Sequence, residues 1–131
     1  MDDKQIVGVL NKKVIDILGL SWKEGSVIIC GEANRNHMRV KHPEDFKQYG
    51  DKLIEIIGHP TYICKHPNKN SIEYIKVFTA NNGDHVLVAV RASGTGILFA
   101  RTLFIMTEEK VLKYKKKNAL KPYATSTKII L

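Results

Sequence analysis

Apolar and polar positions alternate most regularly between Asp84 and Met106, and this stretch anchors the expected fold. From His85 to Arg91, Val86, Val88 and Val90 share one face and Leu87, Ala89 and Arg91 the other, as alternation along a strand requires. A second run, Ile97 to Met106, separates Leu98, Ala100, Thr102, Phe104 and Met106 from Ile97, Phe99, Arg101, Leu103 and Ile105. The two runs flank Ala92-Ser93-Gly94-Thr95-Gly96 and predict neighbouring antiparallel strands. Both are strongly apolar, yet each carries an arginine, Arg91 and Arg101. Desolvating an unpartnered cation costs several kcal/mol, so each guanidinium must meet a partner, water or an anionic ligand.

Helical spacing takes over in other segments. Ile6, Val7, Leu10, Val14, Ile17 and Leu18 predict a helix over Lys4–Leu18, capped by Asp2 or Asp3 and stopped at Gly19. Val27–Cys30 reads as a short buried strand. Pro43–Ile57 predicts a second helix, with Phe46, Tyr49, Leu53, Ile56 and Ile57 inward and Pro43, Glu44 and Asp45 suited to its first turn. The preceding Glu32–His42 stretch is polar. As a helix it sets His37 and Lys41 on one side and Arg35 and Arg39 on another, while His42 before Pro43 is extended.

Thr61–Lys65 and Ser71–Thr79 predict two more strands about a turn at His66–Asn70, with Ile72, Tyr74, Lys76 and Phe78 on one face of the second. Asn81-Asn82-Gly83-Asp84 then turns into the central pair. Thr107–Asn118 predicts a closing helix, with Thr107 as cap and Glu109 near the capping-box position. Val111, Leu112 and Tyr114 form its apolar side and Lys113, Lys115, Lys116 and Lys117 its basic side. A short Ser/Thr-containing tail follows Pro122. The order predicts an α+β fold: N-terminal helices packed on a four- to five-stranded antiparallel sheet, with a short basic C-terminal helix. One sheet face is free to stay open. No repeat or linker divides the chain, so residues 1–131 form one domain, 1–25 a helical extension and 26–121 the core.

Composition adds a partner class. Hydrophobic residues make up 44% and charged residues 26%, which excludes a disordered chain. The net charge of +8 favours a polyanion, nucleic acid or an anionic membrane surface. No apolar run approaches the roughly 20 residues of a membrane span, and the acidic N-terminus is unlike a signal peptide, so no membrane association and a cytoplasmic location are expected. Cys30 and Cys64 sit in apolar runs and read as buried free thiols.

The candidate chemistry narrows by elimination. Gly94-Thr95-Gly96 lacks the lysine and helix of a nucleotide phosphate loop. His37 with His42, or Cys64 with His66, match no zinc spacing, and the carboxylates are too scattered for paired magnesium, so neither metal nor cofactor is expected. Metal-free cleavage of RNA remains. The 2′-hydroxyl is the nucleophile, and the protein supplies a base, an acid and cations for the phosphate. His37, Lys41, His42, Lys76, Arg91, Arg101 and Thr102 are the right types. Alternation allows Lys76, Arg91 and one of Arg101 or Thr102 to share a sheet face.

Five stretches also carry a resemblance. They are His37-Met38-Arg39-Val40-Lys41-His42-Pro43, Pro60-Thr61-Tyr62-Ile63, Ile72-Glu73-Tyr74-Ile75-Lys76, Val86–Val90, and Gly96 running into Arg101-Thr102-Leu103-Phe104. From about Val27 to Lys117 the chain resembles the phage-associated nuclease families of the Barnase–EndoU–colicin–RelE (BECR) fold. The resemblance implies a helical N-terminal part before a four-stranded antiparallel sheet. It also implies a metal-independent endoribonuclease of phage, prophage or toxin type that cuts RNA by transesterification to a cyclic phosphate. Carried across, His37 is the leading catalytic histidine and His42 its neighbour. Lys76 and Arg91 line the sheet, Arg101 and Thr102 sit on the last strand, and Tyr74 or Tyr114 adds a phenol. Arg39, Lys41, Ser93, Lys113 and Lys116 are the expected substrate-binding residues. RNA, either tRNA or mRNA, and an antitoxin or immunity protein are the implied partners.

Plainer readings stand beside these. His59, His66 and His85 suit turns or a solvent-facing strand start, Arg91 can pair with Glu73 or Glu55, and a lysine run is often only a solvated face. The whole chain also reads as a non-catalytic nucleic-acid-binding module on the same fold, or as an interaction domain of incidental basicity.

Overall fold

The computed structural model describes residues 4–123, which leaves Asp2, Asp3 and the tail beyond Tyr123 outside. The described chain is α+β and centres on a mixed seven-stranded sheet of order β1-β2-β6-β5-β4-β3-β7. The strands are β1 (Gln5–Val9), β2 (Val27–Cys30), β3 (Tyr62–Lys65), β4 (Ser71–Phe78), β5 (Asp84–Ala92), β6 (Leu98–Ile105) and β7 (Lys121–Pro122). Neighbours are antiparallel except β2 and β6, which run parallel. The helices are α1 (Lys12–Leu18), α2 (Glu32–Lys41), α3 (Pro43–Tyr49), α4 (Leu53–Gly58) and α5 (Glu108–Lys116).

The expected four- to five-stranded antiparallel sheet is therefore too small and too uniform. The largest correction is at the N-terminus, where Lys4–Leu18 is not one helix. Gln5–Val9 is an edge strand, and only Lys12–Leu18 is helical. Ile6, Val7 and Val9 are β-branched and Gly8 is a poor helix former, so the strand wins where both periods fit. Asn11 begins the helix by accepting the amide of Val14 at 2.9 Å, and Gly19 ends it in the left-handed region, φ 63°. Residues 4–25 thus supply an edge strand of the sheet as well as helix α1.

Pro43–Ile57 is likewise broken, into α3, a 3-10 turn at Gly50–Lys52 and α4. At the break, Tyr49 is buried and donates its hydroxyl to Asp84 Oδ2 at 2.7 Å, tying the helices to the start of β5. Thr107 caps α5 as expected by accepting from the Lys110 amide at 3.1 Å. Lys110, not Glu109, holds the third helical position, so no capping box forms.

One sheet face carries the main core. Ile28, Ile72, Tyr74, Val86, Val88 and Val90 meet Val14, Tyr49, Leu53 and Ile56 from the helices. The other face is covered at one end only, where Val111 of α5 and Leu120 close over Ile75, Leu87 and Met106.

Two irregularities shape what stays open. The first is a bulge in β6: Ala89 pairs with Thr102 but Val90 pairs with Ala100, so Arg101 is an extra residue. Simple alternation fails beyond it. Leu98, Ala100 and Leu103 enter the main core, and Phe104 and Met106 join the cluster under α5. The second is the short reach of β2, which pairs with β6 only at Leu98 and Phe99. Farther along, α2 lies against β6, and Asp45 in the first turn of α3 accepts the Ile105 amide at 3.0 Å, satisfying an edge donor. The free edge of β6 is thereby covered by helix. Met38 seals the core while its neighbour His37 faces the opposite side of the sheet.

Candidate active site

The uncovered part of the second face is a cleft of about 330 Å³. Its floor follows from the registers. Glu73, Ala89 and Thr102 form one row across β4, β5 and β6, and Ser71 and Arg91 stand side by side in the next. Ala89, being small, leaves a hollow between Glu73 and Thr102. Because of the bulge, Arg101 and Thr102 both line it, where simple alternation admitted only one. His37 and His42 enter from the edge, and the turn before β4 adds His66 and Lys69.

Several contacts fix this arrangement. His42 sits between α2 and α3, its amide donating to the Met38 carbonyl at 2.9 Å and its carbonyl accepting from the Phe46 amide at 2.9 Å. Its ring lies 5.1 Å from that of Phe104. On the α5 side, Lys110 stands 4.9 Å from the same Phe104 ring. His66 accepts the Asn68 amide at Nδ1, 3.1 Å, so its neutral ring carries the proton on Nε2.

Glu73 is buried to 7% exposure, and the Tyr114 hydroxyl donates to its Oε1 at 2.8 Å. Burial first, then the charge of Glu73 and this hydrogen bond, push the Tyr114 phenol above its ordinary value. The Cys64 thiol, also buried beside Glu73, is pushed up to about 12.

A sequence profile of the phage-Barnase-EndoU-ColicinE5/D-RelE like nuclease3 family matches residues 4–113. The chain belongs to that family. No curated protein and no solved structure gives a match. The match to this phage-type nuclease family takes in β1, which the resemblance from Val27 onward left out, and stops one residue short of Tyr114. Membership points to a nucleic acid substrate. Among the described residues, no helix is long and apolar enough to cross a membrane, and no group of three or more His, Cys, Asp or Glu side chains is placed to hold a metal ion.

Five of the six residues expected to be catalytic line the cleft: His37, His42, Arg91, Arg101 and Thr102. Lys76 does not. It alternates with Glu73 to the opposite face, where its Nζ donates to the His59 carbonyl at 2.8 Å and stands 3.8 Å from Glu55. Tyr74 is on that face too, inside the main core, so Tyr114 is the phenol at the cleft.

The expected binding residues separate similarly. Arg39 points away, bonded to Asn36 at 2.8 Å and lying 5.1 Å from the Phe46 ring. Lys41 is exposed and outside the cleft lining. Ser93 is occupied by its own loop, its Oγ accepting from the amides of Thr95 and Ile97. Lys113 and Lys116 line an adjoining trough beside α5.

Glu73 and His66 are additions. Glu73 was legible only as a partner for Arg91, yet no ion pair joins the two among the described residues. A carboxylate in a largely apolar strand, in phase with Ser71 and Ile75, was the available signal.

Proposed function

We propose that the cleft is the active site of a metal-independent endoribonuclease. The observation that carries this reading is the meeting of the His37 and His42 imidazoles, the Arg91 and Arg101 guanidinium groups and the Thr102 hydroxyl around one hollow of nucleotide-binding scale. The imidazoles of His37 and His42 divide the proton work. One takes the proton of a ribose 2′-hydroxyl as that oxygen attacks the adjacent phosphorus. The other protonates the 5′-oxygen as its bond to phosphorus breaks, leaving a 2′,3′-cyclic phosphate and a free 5′-hydroxyl. Arg91 and Arg101 hold the phosphate oxygens, whose negative charge grows during attack, through the planar donor fork of arginine. The Thr102 hydroxyl supplies a further hydrogen bond. Glu73, fixed by Tyr114, places an anion among these cations and limits their mutual repulsion in the unliganded cleft.

The test uses purified protein, a structured RNA and excess chelator. Cleavage is expected to survive chelation, to leave cyclic phosphate ends, and to vanish on an all-2′-deoxy substrate. His37→Ala and His42→Ala should each lower the rate by about 10²–10⁴-fold, the usual share of acid–base catalysis. Salt-sensitive binding without cleavage would favour the non-catalytic module instead.

A further inference from the structure

The trough beside the cleft is the larger of the two depressions, about 1020 Å³ against about 330 Å³. It runs between α5 and the segment Cys64–Pro67, and shares His66, Glu73, Lys110 and Tyr114 with the cleft. The two depressions therefore adjoin along these shared side chains, and the smaller one holds the His37 and His42 imidazoles. We infer that the trough binds the phosphate backbone of single-stranded RNA that continues from the scissile bond. The inference rests on the ribonuclease reading of the cleft.

The charge on its walls argues for a polyanion. Lys65, Lys110, Lys113, Lys116 and Lys117 line it, against Glu109 and the hydrogen-bonded Glu73. None of the five lysines belongs to the ion pairs found among the described residues. Lys113 and Glu109 are one helical turn apart, so a local pair was open to them, yet it is absent from those ion pairs.

The type of cation and the shape argue for a flexible strand. Lysine is a point charge on a long stem and follows phosphates without demanding a register, whereas the forked arginines are kept for the cleft. The lining also includes Leu112, 57% exposed, and the Tyr114 ring, giving bases an apolar surface beside the charged rail, as in grooves that take single strands. The trough's volume is about three times that of the cleft (1020/330), room for several nucleotides beyond the one being cut.

The experiment compares a ribodinucleotide with a single-stranded dodecamer containing the same step. It uses wild-type protein and the triple variant Lys113→Gln, Lys116→Gln, Lys117→Gln. These three side chains are exposed, so the variant should keep the wild-type circular dichroism and melting point. The ratio of kcat/KM for dodecamer over dinucleotide should fall about tenfold in the variant, and the salt slope of dodecamer binding should shrink by about 2, for three single-strand phosphate contacts. An unchanged ratio would overturn the inference. If wild type cuts neither substrate, the ribonuclease reading fails, and binding of a fluorescent dodecamer decides the trough separately. Binding weakened about tenfold by the triple variant would uphold it; unaltered binding, or equal loss with a dicarboxylate-rich peptide competing, would refute it.

Discussion

The hydroxyl of Tyr114 donates to Oε1 of Glu73 across 2.8 Å, linking α5 to the middle of β4. This is a long-range tie between a half-buried phenol and a buried carboxylate, at the junction of cleft and trough. Tyr114→Phe removes the donor and leaves Glu73 with a desolvated oxygen. The expected cost is about 1–3 kcal/mol, read as a lowered urea midpoint. Adding Glu73→Gln, which removes the stranded charge, should recover part of the loss. A midpoint equal to wild type in Tyr114→Phe would mean the contact contributes nothing to folding.

Burial around Glu73 also shapes the response to alkaline pH. Burial, aided by the charge of Glu73, lifts the Cys64 thiol from 9.0 to about 12, and lifts Tyr114 above 10.0. The folded chain then keeps protons that the unfolded chain gives up, so stability falls as pH rises between the two values. The contribution should be whole below pH 9.0, decline from there as unfolded Cys64 ionises, and decline faster above 10.0 as tyrosine joins. Urea midpoints measured across this range check it. Cys64→Ala should flatten the first part of the decline, and the native thiol should resist alkylation at neutral pH.

Ala89 is the hollow itself. It stands between Glu73 and Thr102 in one row of the sheet, with both of its strand neighbours on that face, Leu87 and Arg91, lining the cleft. Ala89→Leu would fill the space where a phosphate is to sit. Cleavage should drop by about 10²-fold or more, as misplacement of a substrate by an ångström is enough for such a loss. The melting point should move less than the activity, because Ala89 is only half-buried. Retained activity would place the reaction elsewhere.

Much of this was legible beforehand, and the failures share a cause. The central pair β5–β6, the polar helix holding His37, the stop at Gly19 and the Thr107 cap follow from local chemistry. What could not be read depends on pairing between distant segments. Ile6-Val7-Gly8-Val9 fits both a helical and a strand period, and only the ladder with β2 decides between them. The bulge at Arg101 is invisible until β5 is laid beside β6, yet it puts Arg101 and Thr102 on one side. Lys76 and Arg91 were both strand cations at odds with their neighbours, and the face each occupies is fixed by register, not by type. Glu73 looked like a counter-charge because its burial arises from α5, more than thirty residues on.

Gly8 offers a test of the strand at the N-terminus. A Cβ built there would stand 2.5 Å from Cγ2 of Ile57 in α4, far inside contact distance. Gly8→Ala should therefore destabilise the fold by about 1–3 kcal/mol through overpacking. Were Lys4–Leu18 a continuous helix, the same change would stabilise it by up to about 1 kcal/mol. Thermal melting of the one variant separates the two by sign.

His37 and Met38 are consecutive, one aimed at the cleft and the other fully sealed beneath α2. A helix is rigid over a single turn, so how deeply the thioether seats determines where the imidazole points. The aim of the imidazole is therefore inherited from oil-like contacts on the far side of the sheet. On the ribonuclease reading, trimming the methionine would slow cleavage by more than a melting curve alone would reveal.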